Sequence, residues 1–480
     1  MPPRESLGWF TQPGDCEAIA QWLRDLKTDR LVLSLDMLCF GGLVASRTPA
    51  TALSQALERL EALQTLRDSR PDLTIFAFSV IMRLGQTVAS AAGLEQHLLL
   101  RTYSELLDRA ERLGESDARA ELALVEEKLD SRDVDEYLHV RRRNHAVNRA
   151  AVQLTADGVL DYLVLAQEDA ATVGIHIPEQ LALRGQIEEF RIGDRVAMTS
   201  GADEMGLVLV ARHVTTSTED AVGIAVDYAA EDGADVVPEF ETQPLRQTVE
   251  NHLSMAGARL GPPLEASAIL FVHTPIERQP DIVAAPPSGH APSLALQAES
   301  VGERLEAASA AGRLVGLADL AYCNGADPEL VSALQRKKLI GNLHAFAAWN
   351  TTANTVGTVV SHLCLLAGRG SAAAQSDPSD LRRFLASRFT DDYGYQSVVR
   401  QKAMRRAQEI GANPYALGET SCDFEHFVRD ELQPLAHGFY SQVSAGDTSF
   451  ELPAFEVSLP WRRLFEVEVE FRSSTAPKNR

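Results

Sequence analysis

Short apolar runs rich in Val, Ile and Leu recur along the chain, each followed by polar residues and then by a stretch with helical spacing. This is the pattern of buried parallel strands in βα units, because a strand covered by helices on both faces has no polar side to alternate. The runs are Arg30–Leu35, Leu73–Phe78, Tyr162–Ala166, Arg195–Thr199, Val222–Asp227, Ala268–Val272, Leu314–Ala318 and Leu343–Ala347. Helical periodicity marks Pro49–Asp68, Gln96–Leu113, Ser116–Asn148, Pro244–Leu260 and Ala353–Leu366, and resumes after Pro378 through about Gln408. The prediction is an α/β protein with about eight mostly parallel strands in βα units, closed as a barrel or laid out as doubly wound sheets. The last eighty residues change character, and Phe450–Phe471 alternates as FELPAFEVSLPWRRLFEVEVEF, which predicts a small C-terminal β addition of paired strands.

Length fits two larger α/β units, or about three domains of ordinary size, in 480 residues. The expected organisation is an N-terminal α/β region over 1–275 with a helical insertion near 96–150, a second α/β and helical region over 276–445, and the β-strand addition over 446–480. Gln279–Pro292 concentrates Pro with Ala, Gly and Ser and reads as an exposed loop or lid, while Gly368–Asp380 reads as a second loop.

Apolar residues make up 45% of the chain and charged residues 23%, so a real core is expected and wholesale disorder is excluded. The formal net charge of −22 repels a phosphate backbone or an anionic bilayer, which argues against nucleic-acid and membrane partners. That charge is uneven: Leu160–Gln243 holds 17 acidic residues against four arginines, which places more than half of it in under a fifth of the length. No apolar run is long enough to span a bilayer, and the first residues lack the apolar core of a secretory signal, so the expected location is cytoplasmic. Five scattered cysteines with no C-x-x-C pair read as reduced and mostly buried.

Ligands of parallel α/β sheets bind beyond the carboxyl ends of the strands, where loops and helix N-termini converge. Those positions are densely polar here. Asp36 interrupts an apolar run, and a carboxylate there must be hydrogen-bonded or paired; it reads as a structural cap or as a site acid. Asp169 follows the third run, and Asp203 and Glu204 follow Gly201 after the fourth, where they serve either as helix N-terminal charges or as an acid and a base. Arg47 and Arg83 can anchor a substrate anion or hold a carboxylate ionised. Asn324, Asn350, Asn354 and Asp327 suit sugar hydroxyls, and Tyr322 and Trp349 offer stacking faces, although Asn354 also fits a simple helix start. Arg141-Arg142-Arg143 reads as a solvated helix face, yet Arg141 and His145 lie four apart and so can reach one site together.

There is no G-x-G-x-x-G after a strand, no P-loop, no H-E-x-x-H and no G-x-S-x-G, which removes support for dinucleotide, Walker-type, zinc-protease and ordinary serine-esterase chemistry.

Eight motifs fall in a familiar order: SLDMLCFGGLVASR at 34–47, AFSVIMR at 77–83, RRRNHAVN at 141–148, AQEDA at 166–170, GADEMG at 201–206, ADLAYCNGAD at 318–327, AAWNTTANTVGT at 347–358 and DDYGYQSVVR at 391–400. In these the chain resembles the bacterial domain-of-unknown-function family 4127 over nearly its whole length. The resemblance implies no activity. Members of that family usually open on a strand ending in Asp-x-Arg-Pro, which is missing here. The opening PPRESLGWFTQPGD resembles the segment that follows that strand, so the resemblance implies a chain lacking its first strand and leaves room for an export signal before Met1.

The expected function is a carbohydrate-active, glycosidase-like hydrolase on a small-molecule carbohydrate such as an amino-sugar conjugate, using paired carboxylates and no cofactor. The pairing is Asp203 or Glu204 with Asp36 or Asp169. Two alternatives stand beside it: a hydrolase or lyase holding Mg or Mn on the same carboxylates, and a non-catalytic sugar-binding protein.

Overall fold

The computed structural model describes residues 1–88, 91–218, 220–284, 292–368, 378–445 and 451–472. The parts of the two expected loops at 285–291 and 369–377 therefore lie outside the described residues. The chain divides into two compact units, Met1–Leu209 with Phe240–Thr242, and Val210–Glu239 with Gln243–Arg480. The expected boundary near 275 ran past this division: the strands begun at Val222 and Ala268 pair within the second unit's sheet.

The first unit holds strands β1 (Arg30–Ser34), β2 (Thr74–Ile81), β3 (Tyr162–Gln167) and β4 (Val196–Ser200), all parallel and ordered as in the sequence. Leu163, Leu165, Ile75 and Ala77 on these strands pack with Leu60, Leu63, Val147 and Ala151 from the helices Leu53–Ser69 and Ser131–Ala156. The second unit holds β5 (Gly223–Tyr228), β6 (Arg259–Leu260), β7 (Ala268–His273), β8 (Leu314–Asp319) and β9 (Ala345–Ala347), again parallel, in the order β6-β5-β7-β8-β9. Here the chain reverses direction about β5, which makes the β5/β7 pair a topological switch point. Strands β10 (Ala454–Ser458) and β11 (Glu468–Arg472) form the C-terminal antiparallel pair. The parallel strands thus lie in two open sheets of four and five, with no barrel among the described residues.

Several boundaries moved for local reasons. The helix expected over Ser116–Asn148 is two helices, Ser116–Glu126 and Ser131–Ala156, because Asp130 caps the second by accepting from the Arg132 N–H at 2.9 Å. The helix expected to reach Leu260 stops at Met255; Gly257 turns the chain at φ +74° and frees Arg259–Leu260 to pair with β5. The apolar run after β1 becomes a short helix, Leu35–Phe40, capped by Ser34 and closed by Gly41 at φ +78°. A Cβ on Gly41 would meet the Gly14 backbone N at 2.5 Å and O at 2.7 Å. Gly41→Ala is therefore expected to destabilise the first unit by about 1–3 kcal/mol, read from the shift of its denaturant midpoint; an unchanged midpoint would contradict this close approach.

Cys16, Cys39, Cys323 and Cys364 are buried free thiols, and Cys422 is exposed. Among the described residues no helix is long and apolar enough to cross a membrane.

Candidate functional site

In the first unit the polar residues at the carboxyl ends of β1 to β4 form one electrostatic cluster. Glu168 directly follows β3 and makes an ion pair with Arg47, and Arg83, just past β2, reaches Glu168 at 3.8 Å and pairs with Asp169. Arg47 also donates to Thr87 Oγ1 at 2.9 Å. Asp169 sits at φ +26°, a region that side chains rarely adopt, so the chain accepts backbone strain where this carboxylate turns to Arg83.

Asp203 stands on an exposed position after β4. Its carboxyl is lifted to about 7, first by lost hydration and then by the charges of Glu168 and Glu204. Burial raises Glu168 as well, against the pull of Arg47 and Arg83. Asp36 lies beneath, 3% exposed, accepting from the Val80 N–H at 2.9 Å, and burial pushes it up to about 7. Glu204 instead folds back to accept from the Ala202 N–H at 3.1 Å, which is the turn-capping role. Four buried atoms at this rim, Arg47 Nε, Arg83 Nε, Glu168 Oε2 and Ser200 Oγ, have no hydrogen-bond partner among the described residues.

The RRRNHAVN stretch is not a solvated face. Arg141, Arg143, Asn144 and Asn148 are buried, and only Arg142 of the arginine run is exposed. Arg141 pairs with Glu179 at 2.5 Å and donates to the Arg83 carbonyl at 2.7 Å. Arg143 donates to the Thr48 and Thr51 carbonyls at 2.8 Å, and Asn144 to the Ser46 carbonyl at 2.9 Å. One helix thereby fixes the backbone on which both site arginines stand, and these are positioning residues. His145 is half-buried with its pKa lowered by burial, and its Nδ1 makes no hydrogen bond among the described residues.

The other expected binding residues, Tyr322, Asn324, Asp327, Trp349, Asn350 and Asn354, belong to the second unit. Asp327 is 1% exposed and fully engaged: Oδ1 caps the helix Pro328–Arg336 through the Glu329 N–H at 3.0 Å, and Oδ2 bonds His273 Nε2 at 2.9 Å. Asp319, at the end of β8, accepts from the Asp327 N–H at 2.7 Å. Burial would lower His273, but the bond to Asp327 and the charge of Asp319 raise it. Tyr322 packs among Ile282, Leu294 and Ala321 and offers no open stacking face. Asn324 (φ +62°) donates its side-chain amide to Asp281 at 2.9 Å and its backbone N–H to the Asn350 carbonyl at 3.0 Å, and Asn350 is itself at φ +73°. Asn354 opens the helix Thr352–Gly368, where its carbonyl accepts from Thr358 at 2.8 Å.

Of the expected catalytic acids, Asp36, Asp169 and Asp203 share the first-unit cluster with Arg47 and Arg83. Glu168 was the residue missed. Its signal was adjacency: consecutive acids directly after a buried strand point to opposite sides, so both deserved weight. No group of three His, Cys, Asp or Glu side chains is arranged to hold a metal among the described residues. The Mg or Mn alternative therefore rests on the crowding of acids alone.

A family model described as "Protein of unknown function (DUF4127)" matches residues 1–470. No curated protein matches the chain, and no solved structure does.

Proposed function

Since the chain belongs to the DUF4127 family, whose description names no activity, we propose a function from the geometry of the first unit: an acid–base hydrolase of glycosidase type, with Asp203 as proton donor. Glu168 and Asp169 are the partner carboxylates, paired with Arg47 and Arg83, guanidiniums that do not lose their proton at physiological pH. What carries this reading is the geometry at the rim, an acid on an exposed position after β4, raised to about 7, beside two carboxylates paired with Arg47 and Arg83. A site that keeps one carboxyl protonated beside another that is ionised holds an acid and a base at the same pH.

In the proposed reaction Asp203 gives its proton to the leaving oxygen. Glu168 or Asp169 stabilises the developing positive charge, or activates the water that replaces the leaving group. Arg47 and Arg83 hold those carboxylates in place, and the small-molecule substrate is a sugar conjugate. Activity is expected to fall as pH rises through about 7, where Asp203 loses its proton.

A panel of aryl glycosides tests this. Asp203→Asn and Glu168→Gln are each expected to lower turnover by about 100-fold, with the unfolding midpoint of the Asp203 variant no lower than that of the wild-type protein. Turnover retained in both variants removes these residues from the mechanism. Saturable sugar binding with no product from the wild-type protein replaces the hydrolase with a binding protein.

A further inference from the structure

The DDYGYQSVVR motif plays no part in the acid–base site. It forms a π-helix, Phe389–Val399, that ends in Arg400 within the second unit. Long π-helical runs are rare and cluster at functional sites. This one is anchored on the ends of the sheet: the Ala348 N–H donates to Asp392 Oδ2 at 2.7 Å, and Ser397 donates to the Ala326 carbonyl at 2.8 Å.

Arg400 is 7% exposed. A guanidinium buried that far normally faces a carboxylate, as Arg47 and Arg141 do in this chain, or has its donors taken up by several acceptors, as Arg143 does by the Thr48 and Thr51 carbonyls and Asn144. Arg400 does neither. Among the described residues its hydrogen bond is from Nη1 to the neutral Gln396 Oε1 at 3.0 Å, its Nε has no partner, and its guanidinium lies 4.6 Å from the centre of the Phe465 ring. The acids close enough to act on its charge, Asp281, Glu466 and Asp391, are engaged elsewhere, Asp391 by Arg388 at 2.9 Å and by Gln396. Asp281 accepts from the Val283 N–H at 2.8 Å and from Asn324, and Glu466 is paired with Arg463 at 2.8 Å. A second donor stands at the same ring: Trp349 lies 5.9 Å from Phe465, and its buried Nε1 also lacks a partner. Two buried donors thus stand around one aromatic ring without an acceptor among the described residues, and the local acids are already engaged.

We propose that the second unit binds the carboxylate of a small-molecule ligand, with the Arg400 guanidinium and the Trp349 indole N–H as its donors. The planar fork of the guanidinium matches a carboxylate. One unpaired cation offsets one negative charge, and the engaged acids Asp281 and Glu466 nearby penalise a second, which favours a monoanion over a phosphate dianion. This site is independent of the acid–base reading of the first unit, and its failure would leave that reading standing.

The chain has four tryptophans, so the indole N–H signals of the full-length protein are few, and the loss of one in Trp349→Phe assigns Trp349. Titration with acetate, D-glucuronate and inorganic phosphate is expected to move that signal saturably with at least one carboxylate and not with phosphate. Arg400→Lys, which keeps the charge and loses the fork, is expected to weaken binding by about tenfold, the worth of one charge-assisted hydrogen bond. Arg400→Met should abolish it, and Asp203→Asn should leave it unchanged. The other three indole signals report whether each variant is folded. Should the Arg400 variants not fold, calorimetry on Trp349→Phe decides, with binding weakened by about threefold or more expected for one lost hydrogen bond. A Trp349 signal unmoved by every carboxylate, carboxylate affinity unchanged in the folded variants, or saturation by phosphate alone overturns the proposal.

Discussion

Arg388→Met is expected to cost the second unit about 3–5 kcal/mol at pH 8, the usual consequence of removing one partner from a buried ionic cluster. Arg388 bridges two acids of the π-helix, Asp391 at 2.9 Å and Asp392 at 3.0 Å, and the two acids are 6% and 0% exposed. Met keeps much of the side chain's length and apolar contact, so the loss isolates the charge. What remains to Asp391 is a hydrogen bond from Gln396 at 3.2 Å, and to Asp392 the Ala348 N–H at 2.7 Å. Burial already pushes Asp392 up to about 7 with Arg388 pulling it down. Without the guanidinium both acids rise further, and a folded state that binds more protons than the unfolded one loses stability as pH rises. The deficit should therefore shrink on going from pH 8 to about pH 5, where both acids can be protonated. Chemical denaturation at the two pH values reads the difference. A deficit below about 1 kcal/mol at pH 8 would mean that Arg388 is solvated like a surface partner.

The strand runs were legible because parallel strands buried on both faces leave a continuous apolar signature, and all eight expected runs coincide with observed strands. β6 was not, because two exposed residues, Arg259 and Leu260, carry no such signature and pair only where Gly257 ends the preceding helix. The break at Asp130 was written in the sequence as an N-cap residue, but an apolar stripe continuing on both sides masked it. Sheet order is a property of tertiary contact, so the choice between barrel and open sheets, and the division of the chain at Leu209, had no local signal.

The acids and arginines of the first unit were recognisable because charge directly beyond a buried strand needs an explanation. Their partners were harder to read. Arg141 and Arg143 carry the residue types of a solvated face, and only the contacts to the Arg83, Thr48 and Thr51 carbonyls reveal them as supports. Asn324 and Asp327 had the chemistry of sugar ligands, yet Asp281, Glu329 and His273 take up their side-chain atoms. Residue type alone does not distinguish a polar group awaiting a ligand from one already satisfied; the difference lies in long-range pairing.

Asp36 separates those two conditions experimentally. Its carboxyl is 3% exposed and raised to about 7, with burial the main cause and the Val80 N–H opposing it. A carboxyl in an unfolded chain titrates near 4, so between about pH 4 and 7 the folded protein holds a proton that the unfolded chain has lost. Stability must fall across that window and carry the whole penalty above it. Asn keeps the shape and an acceptor for the Val80 N–H but cannot ionise. The wild-type protein is accordingly expected to lose about 2–3 kcal/mol more than Asp36→Asn between about pH 5 and pH 8, with the variant the more stable at the higher pH. Parallel denaturation curves for the two proteins across that range, with no divergence, would show that Asp36 stays ionised in the fold. It would then be a charged member of the Glu168 cluster and a candidate for its base, instead of the neutral floor beneath it.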